Sequence, residues 1–97
     1  MKEMKEMKEM KEKKKIIKLS SKSCIPCSTY ALIFDSWAEK EGKGIIEIER
    51  VDVEENPEIA SKYRIMSVPT TILLINWEPI EVKTGVLSKE ILNEMCE

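Results

Sequence analysis

Ser23-Cys24-Ile25-Pro26-Cys27 runs without a break into Ser28-Thr29-Tyr30-Ala31-Leu32-Ile33-Phe34-Asp35-Ser36-Trp37-Ala38-Glu39-Lys40-Glu41 and then Gly42. The second run is a helix by its apolar spacing. Cys27, Tyr30 or Ala31, Phe34, and Trp37 or Ala38 recur at the helical period and make one inward face. Gly42-Lys43-Gly44 supplies a glycine cap for its end. Pro26 falls in the first turn, where a missing N–H costs nothing. Two cysteines separated by two residues at a helix start lie within reach of one Cys24-Cys27 disulfide. A helix N-terminus stabilises negative charge, so Cys24 is expected to ionise more readily than a free thiol. Such a thiolate can attack a substrate disulfide, and Cys27 can then resolve the mixed disulfide. Alone, the CxxC spacing is ambiguous, because zinc and iron–sulfur proteins use it too.

The chain has 97 residues, enough for one domain. Residues 1–15 read MKEMKEMKEMKEKKK, a low-complexity Met-Lys-Glu extension, which leaves 16–97 for the fold. Methionine recurs there every three residues rather than every 3.6, so no stable apolar face forms, and a solvated extension is expected. The extension carries a net charge of +3 and the remainder −5. An acidic body without a basic, aromatic-studded face argues against nucleic acid as a partner. The charged start lacks the apolar run of a signal peptide, and nothing approaches the ~20 apolar residues of a membrane span. A cytoplasmic setting is therefore expected, where a CxxC pair is more often catalytic or metal-binding than a permanent staple. Histidine is absent, which removes Cys–His catalysis and the usual nitrogen metal ligand. Cys24, Cys27 and Cys96 are the only cysteines, so a closed zinc site would need a carboxylate or a second chain. Neither a metal nor another cofactor is expected. Cys96, one residue from the C-terminus, is expected to pack beside Leu92.

Ile16-Ile17-Lys18-Leu19 reads as a short buried strand, followed by the serine-rich loop Ser20 to Ser23. Ile45 to Val53 is a second strand, with Ile46 and Ile48 on one face and Val51 and Val53 on the other. Asn56-Pro57 reads as an N-cap and first helical residue, opening a helix through Tyr63 with Ile59, Ala60 and Tyr63 inward. Thr70 to Ile75 and Ile80 to Thr84 form a hairpin about Asn76-Trp77-Glu78-Pro79. Ser88 caps a last helix with Ile91, Leu92 and Met95 inward. The order β-α-β-α-β-β-α predicts an α/β fold: a four-stranded mixed sheet with helices on both faces. Its first two strands run parallel through a right-handed crossover.

At this point the chain resembles the thioredoxin family. Asn56-Pro57-Glu58-Ile59-Ala60-Ser61-Lys62-Tyr63-Arg64-Ile65-Met66-Ser67-Val68-Pro69-Thr70 is similar to the family's run from second helix to cis-proline. Gly85-Val86-Leu87-Ser88-Lys89 is similar to its final turn and helix start, and Pro69 lies 42 positions after Cys27, close to the family's spacing. The likeness covers Ile16 to Glu97, without the strand and helix that open a full-length member. It implies a thioredoxin-like fold and a thiol-disulfide oxidoreductase that reduces protein disulfides, with Cys24 as nucleophile and Cys27 as resolving thiol. It further implies a cofactor-free monomer whose partners are disulfide-containing proteins and a thioredoxin-reductase-like electron donor. The bond before Pro69 would be cis, and the Val68 backbone would pair with an extended substrate strand. Ile25, Pro26, Val68, Gly85 and Val86 would line a shallow apolar docking groove.

Several positions depart from the family pattern. Ser23 stands where tryptophan usually precedes the first cysteine, Ile25 where glycine is usual, and Trp77 where a hairpin glycine is usual. The family's buried acid, six residues before the first cysteine, aligns with Lys18, and its partner lysine with Arg50. Lys18 is therefore a candidate for handling the Cys27 proton, either as a neutral amine that accepts it or as a cation that favours thiolate. A one-residue slip in the strand would instead bury Leu19 and leave Lys18 in solvent. Two other functional readings are a glutathione-linked glutaredoxin-like reductase and a redox-inert interaction domain. The glutaredoxin pattern after the last strand is not matched by Gly85-Val86-Leu87-Ser88.

Overall fold

The computed structural model describes residues 13–42 and 46–97. Four strands, β1 (Lys14–Ser20), β2 (Glu47–Asp52), β3 (Thr70–Ile75) and β4 (Glu78–Thr84), form one sheet in the order β2-β1-β3-β4. β1 runs parallel to β2 and antiparallel to β3, and β3 runs antiparallel to β4. Three helices, α1 (Ile25–Trp37), α2 (Pro57–Lys62) and α3 (Lys89–Met95), complete the expected order.

Alternation along the strands divides the core between the two faces of the sheet. Ile16 and Leu73 meet Tyr30, Phe34 and Trp37 of α1, and Leu92 and Met95 of α3. Ile17, Leu19, Val51, Ile72 and Leu74 face the other way, towards Ile59 and Tyr63 at α2. Ile46 and Ile48 pack on the first face and Val53 joins Val51 on the second, as the sequence pattern requires. Lys18 pairs with Arg50 on one side and Thr71 on the other, in the same face as Ile16. Lys18 is only 6% exposed, so the slipped register is not adopted.

The central helix is held by aromatic packing. Cys27, Tyr30, Phe34 and Trp37 are its buried residues, at spacings of three and four. The Tyr30 and Phe34 rings meet edge to face at 5.7 Å, and Phe34 and Trp37 are tilted at 5.6 Å. Trp37 Nε1 donates to Asn93 Oδ1 at 2.8 Å, tying α1 to α3. The α-helix ends at Trp37, four residues before the expected limit, and a π turn, Ala38–Gly42, carries the chain onward. The wider turn begins at Ala38, which stays buried on the core side. The glycine cap read from residues 42–44 falls partly outside the described residues.

Four further boundaries differ from the expectation, the simplest being β2, which spans Glu47–Asp52 inside the expected 45–53. β1 begins at Lys14, so Lys14 and Lys15, assigned by sequence to the extension, belong to the sheet. Lys15 Nζ sits 5.6 Å over the Trp77 ring and bonds Glu49 at 2.6 Å, so a lysine occupies a strand position through its stem and its ion pair. The remaining extension, residues 1–12, lies outside the described residues. In the hairpin, Asn76 and Trp77 both take positive φ, 52° and 72°, and form a two-residue turn. β4 therefore starts at Glu78 and includes Pro79, tolerated because β4 is an edge strand. A bulge at Leu73/Leu74 absorbs the register change. Finally, α2 ends at Lys62, and Asn56 offers no side-chain cap, since its Nδ2 donates to Asp52 O at 3.3 Å.

Candidate redox site

The loop after β1 delivers Cys24 to the N-cap of α1 with extended backbone (φ −95°, ψ 110°). Its Sγ accepts a hydrogen bond from Cys27 N at 3.1 Å, the place an oxygen takes in an ordinary N-cap. Cys24 and Cys27 are joined as a disulfide with their Cα atoms 5.2 Å apart. One turn of helix makes the two sulfurs unequal. Cys27 faces the sheet and is 5% exposed, whereas Cys24 is half-buried at the rim.

A second segment comes to this rim. The Val68–Pro69 peptide bond is cis, and Val68 O lies 3.6 Å from Cys24 Sγ. Thr70 Oγ1 donates to Ser67 O at 2.7 Å and Gly85 N to Pro69 O at 2.8 Å, so the loop is fixed from both sides. Gly85 has φ +102°, a conformation that strains any residue with a side chain. Among the described residues, no backbone partner takes the Val68 N–H or C=O. Ile25 is 81% exposed and Val86 43%, with Pro26 also at the surface.

Beyond Val68, this surface is extended by residues that the sequence did not place in the groove. Val53, Ala60, Ile65, Met66, Ser67 and Val68 line an apolar depression of about 150 Å³ beside the Val68 carbonyl. Met66 is 95% exposed; a methionine outside every periodic apolar stripe was the available signal. Ser23, in place of the family's tryptophan, donates from Oγ to Glu54 Oε2 at 2.9 Å. No local pattern links two residues 31 positions apart.

Beneath α1 the charges are unusual. Lys18 Nζ lies 5.3 Å from the centroid of the Phe34 ring, and the Arg50 guanidinium carbon 5.5 Å from the same centroid. Arg50 Nε and Nη2 both donate to Asp35 Oδ1, at 3.0 and 2.9 Å. Burial pulls the Lys18 amine below the ordinary lysine range; the Asp35 charge opposes this and the Arg50 charge adds to it. Tyr30 Oη shares a 2.6 Å hydrogen bond with Thr71 Oγ1, and burial pushes the phenol up to about 12. Tyr30 is thus no proton carrier near neutral pH.

Cys96 is half-buried against the first core, and burial raises its thiol. Lys14 Nζ holds the Cys96 carbonyl at 2.8 Å, at the end of β1 opposite the CxxC loop. The seven residues of β1 separate the two ends by about 20 Å, so Cys96 cannot join Cys24 and Cys27 in one metal site.

The model of the family described as Thioredoxin matches residues 2–97, beyond the Ile16 start of the likeness seen in the sequence. Thioredoxins from several strains of Staphylococcus aureus are 37% identical over 75 residues, covering 76% of this chain and 70% of theirs. Among solved structures, thioredoxin-2 of a malaria parasite superimposes with a TM-score of 0.80 at 28% identity, covering 90% of this chain and 84% of that one. Fasciola hepatica thioredoxin gives 0.77 at 20% identity, covering 87% and 79%, a likeness of fold. With the CxxC pair closed at the start of α1, the chain belongs to the thioredoxin family and is a protein-disulfide oxidoreductase that works by dithiol exchange.

Proposed function

We propose that the chain works as a reductase of protein disulfides, with Cys24 attacking and Cys27 resolving. The observation that supports this order is the unequal burial of the pair beside the Val68 backbone, which among the described residues has no backbone hydrogen-bond partner. An extended substrate adds to the Val68 N–H and C=O as a strand, which sets its disulfide over Cys24. Ile25, Pro26, Gly85 and Val86 line the groove with Val68, and the depression at Met66 widens it. The Cys24 thiolate, favoured at the helix start, attacks one substrate sulfur; the other leaves as a thiolate. Cys27 then loses its proton and attacks Cys24 Sγ. The Cys24–Cys27 disulfide forms, the second substrate sulfur leaves, and two electrons have passed to the substrate.

Regeneration falls to a thioredoxin-reductase-like donor, and the reading places the protein in the cytoplasm as a monomer. No helix among the described residues is long and apolar enough to cross a membrane. The acidic body supports protein rather than nucleic-acid partners. Insulin reduction driven by dithiothreitol tests the function. Acceleration over dithiothreitol alone is expected, and its absence would refute the reductase reading.

In this proposal Lys18 replaces the family's buried acid as the group that manages the Cys27 proton. Among the described residues it makes no hydrogen bond to Cys27, so it acts through its charge or through a bridging water. Lys18→Met is expected to slow mixed-disulfide resolution roughly tenfold, less than the 10²–10⁴ of a directly bonded acid–base group. The same substitution should change stability with a defined sign. A lowered amine constant means that the folded chain binds this proton less tightly than the unfolded one. Stability therefore rises with pH from the lowered value to the ordinary 10.5, and Lys18→Met removes that rise. Urea unfolding across this range measures the slope. An unchanged resolving rate with an unchanged pH profile would end the proposed role.

A further inference from the structure

Lys18 is not the only charge on its face of the sheet. Across from it on β2 stands Arg50; on α1 the titratable groups are Cys27, Tyr30 and Asp35, and Glu39 follows in the π turn. Thr71 on β3, and Ile16 and Ser20 on β1, bring no charge; one strand beyond Thr71, on β4, stands Lys83, which is paired with Glu81 at 3.1 Å. Asp35, Ala38, Glu39, Ile48 and Arg50 line an open depression of about 330 Å³, which brings solvent up to the Asp35–Arg50 pair.

The pair is arranged around one ring. The Lys18 amine and the Arg50 guanidinium both lie within 5.5 Å of the Phe34 centroid, and the Arg50 charge disfavours the protonated Lys18 amine. Arg50 turns two nitrogens onto a single oxygen of Asp35. We propose that Asp35 is a positioning residue for dithiol exchange: it holds Arg50 on the Phe34 ring beside Lys18 and supplies the anion of that cluster, so that it governs the charge presented beneath the cysteine pair.

The proposal rests on the Lys18 reading and deepens it. In the family pattern one buried acid faces one lysine. Here two cations, Lys18 and Arg50, occupy those strand positions, and the nearby acid, Asp35, stands on the exposed flank of α1. Loss of the Asp35 charge removes an anion that favours protonated Lys18, and it also releases the full repulsion of Arg50. Both effects push Lys18 towards the neutral form. Loss of the Arg50 charge acts in the opposite sense, because it removes the repulsion and leaves Asp35 to Lys18 alone.

The test follows two readouts in the reduced full-length protein: the Lys18 amine by NMR of labelled lysine, and the rate of mixed-disulfide resolution, each from about pH 6 to 10. Asp35→Asn is expected to move the amine midpoint and the rate profile together to lower pH. At the wild-type midpoint the rate should change by about threefold. Arg50→Gln should move both to higher pH. In a Lys18→Met background, which has no amine at this position to follow, Asp35→Asn should leave the rate profile unchanged. Asp35 and Arg50 are both exposed, so these variants should fold. If Lys18→Met alone leaves the rate profile unchanged, the Lys18 reading falls and this proposal with it. If Lys18→Met flattens the profile but Asp35→Asn moves neither readout, Lys18 keeps its role and Asp35 has none.

Discussion

Cys24→Ser is expected to abolish disulfide reduction while leaving the fold intact. A serine hydroxyl is a better N-cap than a thiol, so the 3.1 Å bond from Cys27 N is kept and α1 still starts at Ile25. What disappears is the only sulfur at the rim that can attack. Insulin reduction should fall to the dithiothreitol background, a loss of about 10³-fold or more, as expected when a nucleophile is removed. Cys27→Ser behaves differently. Its Cys24 thiolate still attacks, but nothing resolves the product, so a covalent adduct with a disulfide substrate should accumulate and be visible by intact mass. Trapping by Cys24→Ser instead would reverse the two roles.

Phe34→Ala carries the largest expected cost in stability, about 3–5 kcal/mol. The ring is fully buried and touches both Tyr30 and Trp37. It is also the apolar surface on which Lys18 and Arg50 rest, so its loss leaves a buried amine facing a void. Small domains hold only about 5–15 kcal/mol in total, and a melting point more than about 12 °C lower should follow. Phe34→Leu keeps most of the volume and should cost far less. A loss under about 1 kcal/mol for Phe34→Ala, measured by urea unfolding, would show that α1 is not the main support of the sheet.

The fold was legible where one short-range rule was enough. Cys27, Tyr30, Phe34 and Trp37 mark a helix by spacing alone, and Ile46, Ile48, Val51 and Val53 mark a two-faced strand. The boundaries were less legible because each depends on a partner distant in sequence. Lys15 is a strand residue only because Trp77, Glu47 and Glu49 receive its side chain. Trp77 defines a tight turn by a positive φ that its side chain does not advertise. At the site, the cysteine pair was evident, whereas the Ser23–Glu54 bond and the Met66 depression needed the loops to be brought together. Lys18 was legible only as an anomaly. Its burial follows from the register with Arg50 and Thr71, which the run Ile16-Ile17-Lys18-Leu19 does not fix by itself.

The two tryptophans lie in opposite surroundings. Trp37 is 1% exposed and bonded to Asn93, on the same helix as the reactive pair; Trp77 is 63% exposed in the hairpin turn. The chain therefore carries two optical reporters that a water-soluble quencher can separate. Emission from Trp77 should be quenched by acrylamide, leaving a bluer residual signal from Trp37. Changes in that residual light on reduction would report the interior of the working helix, with no dye attached.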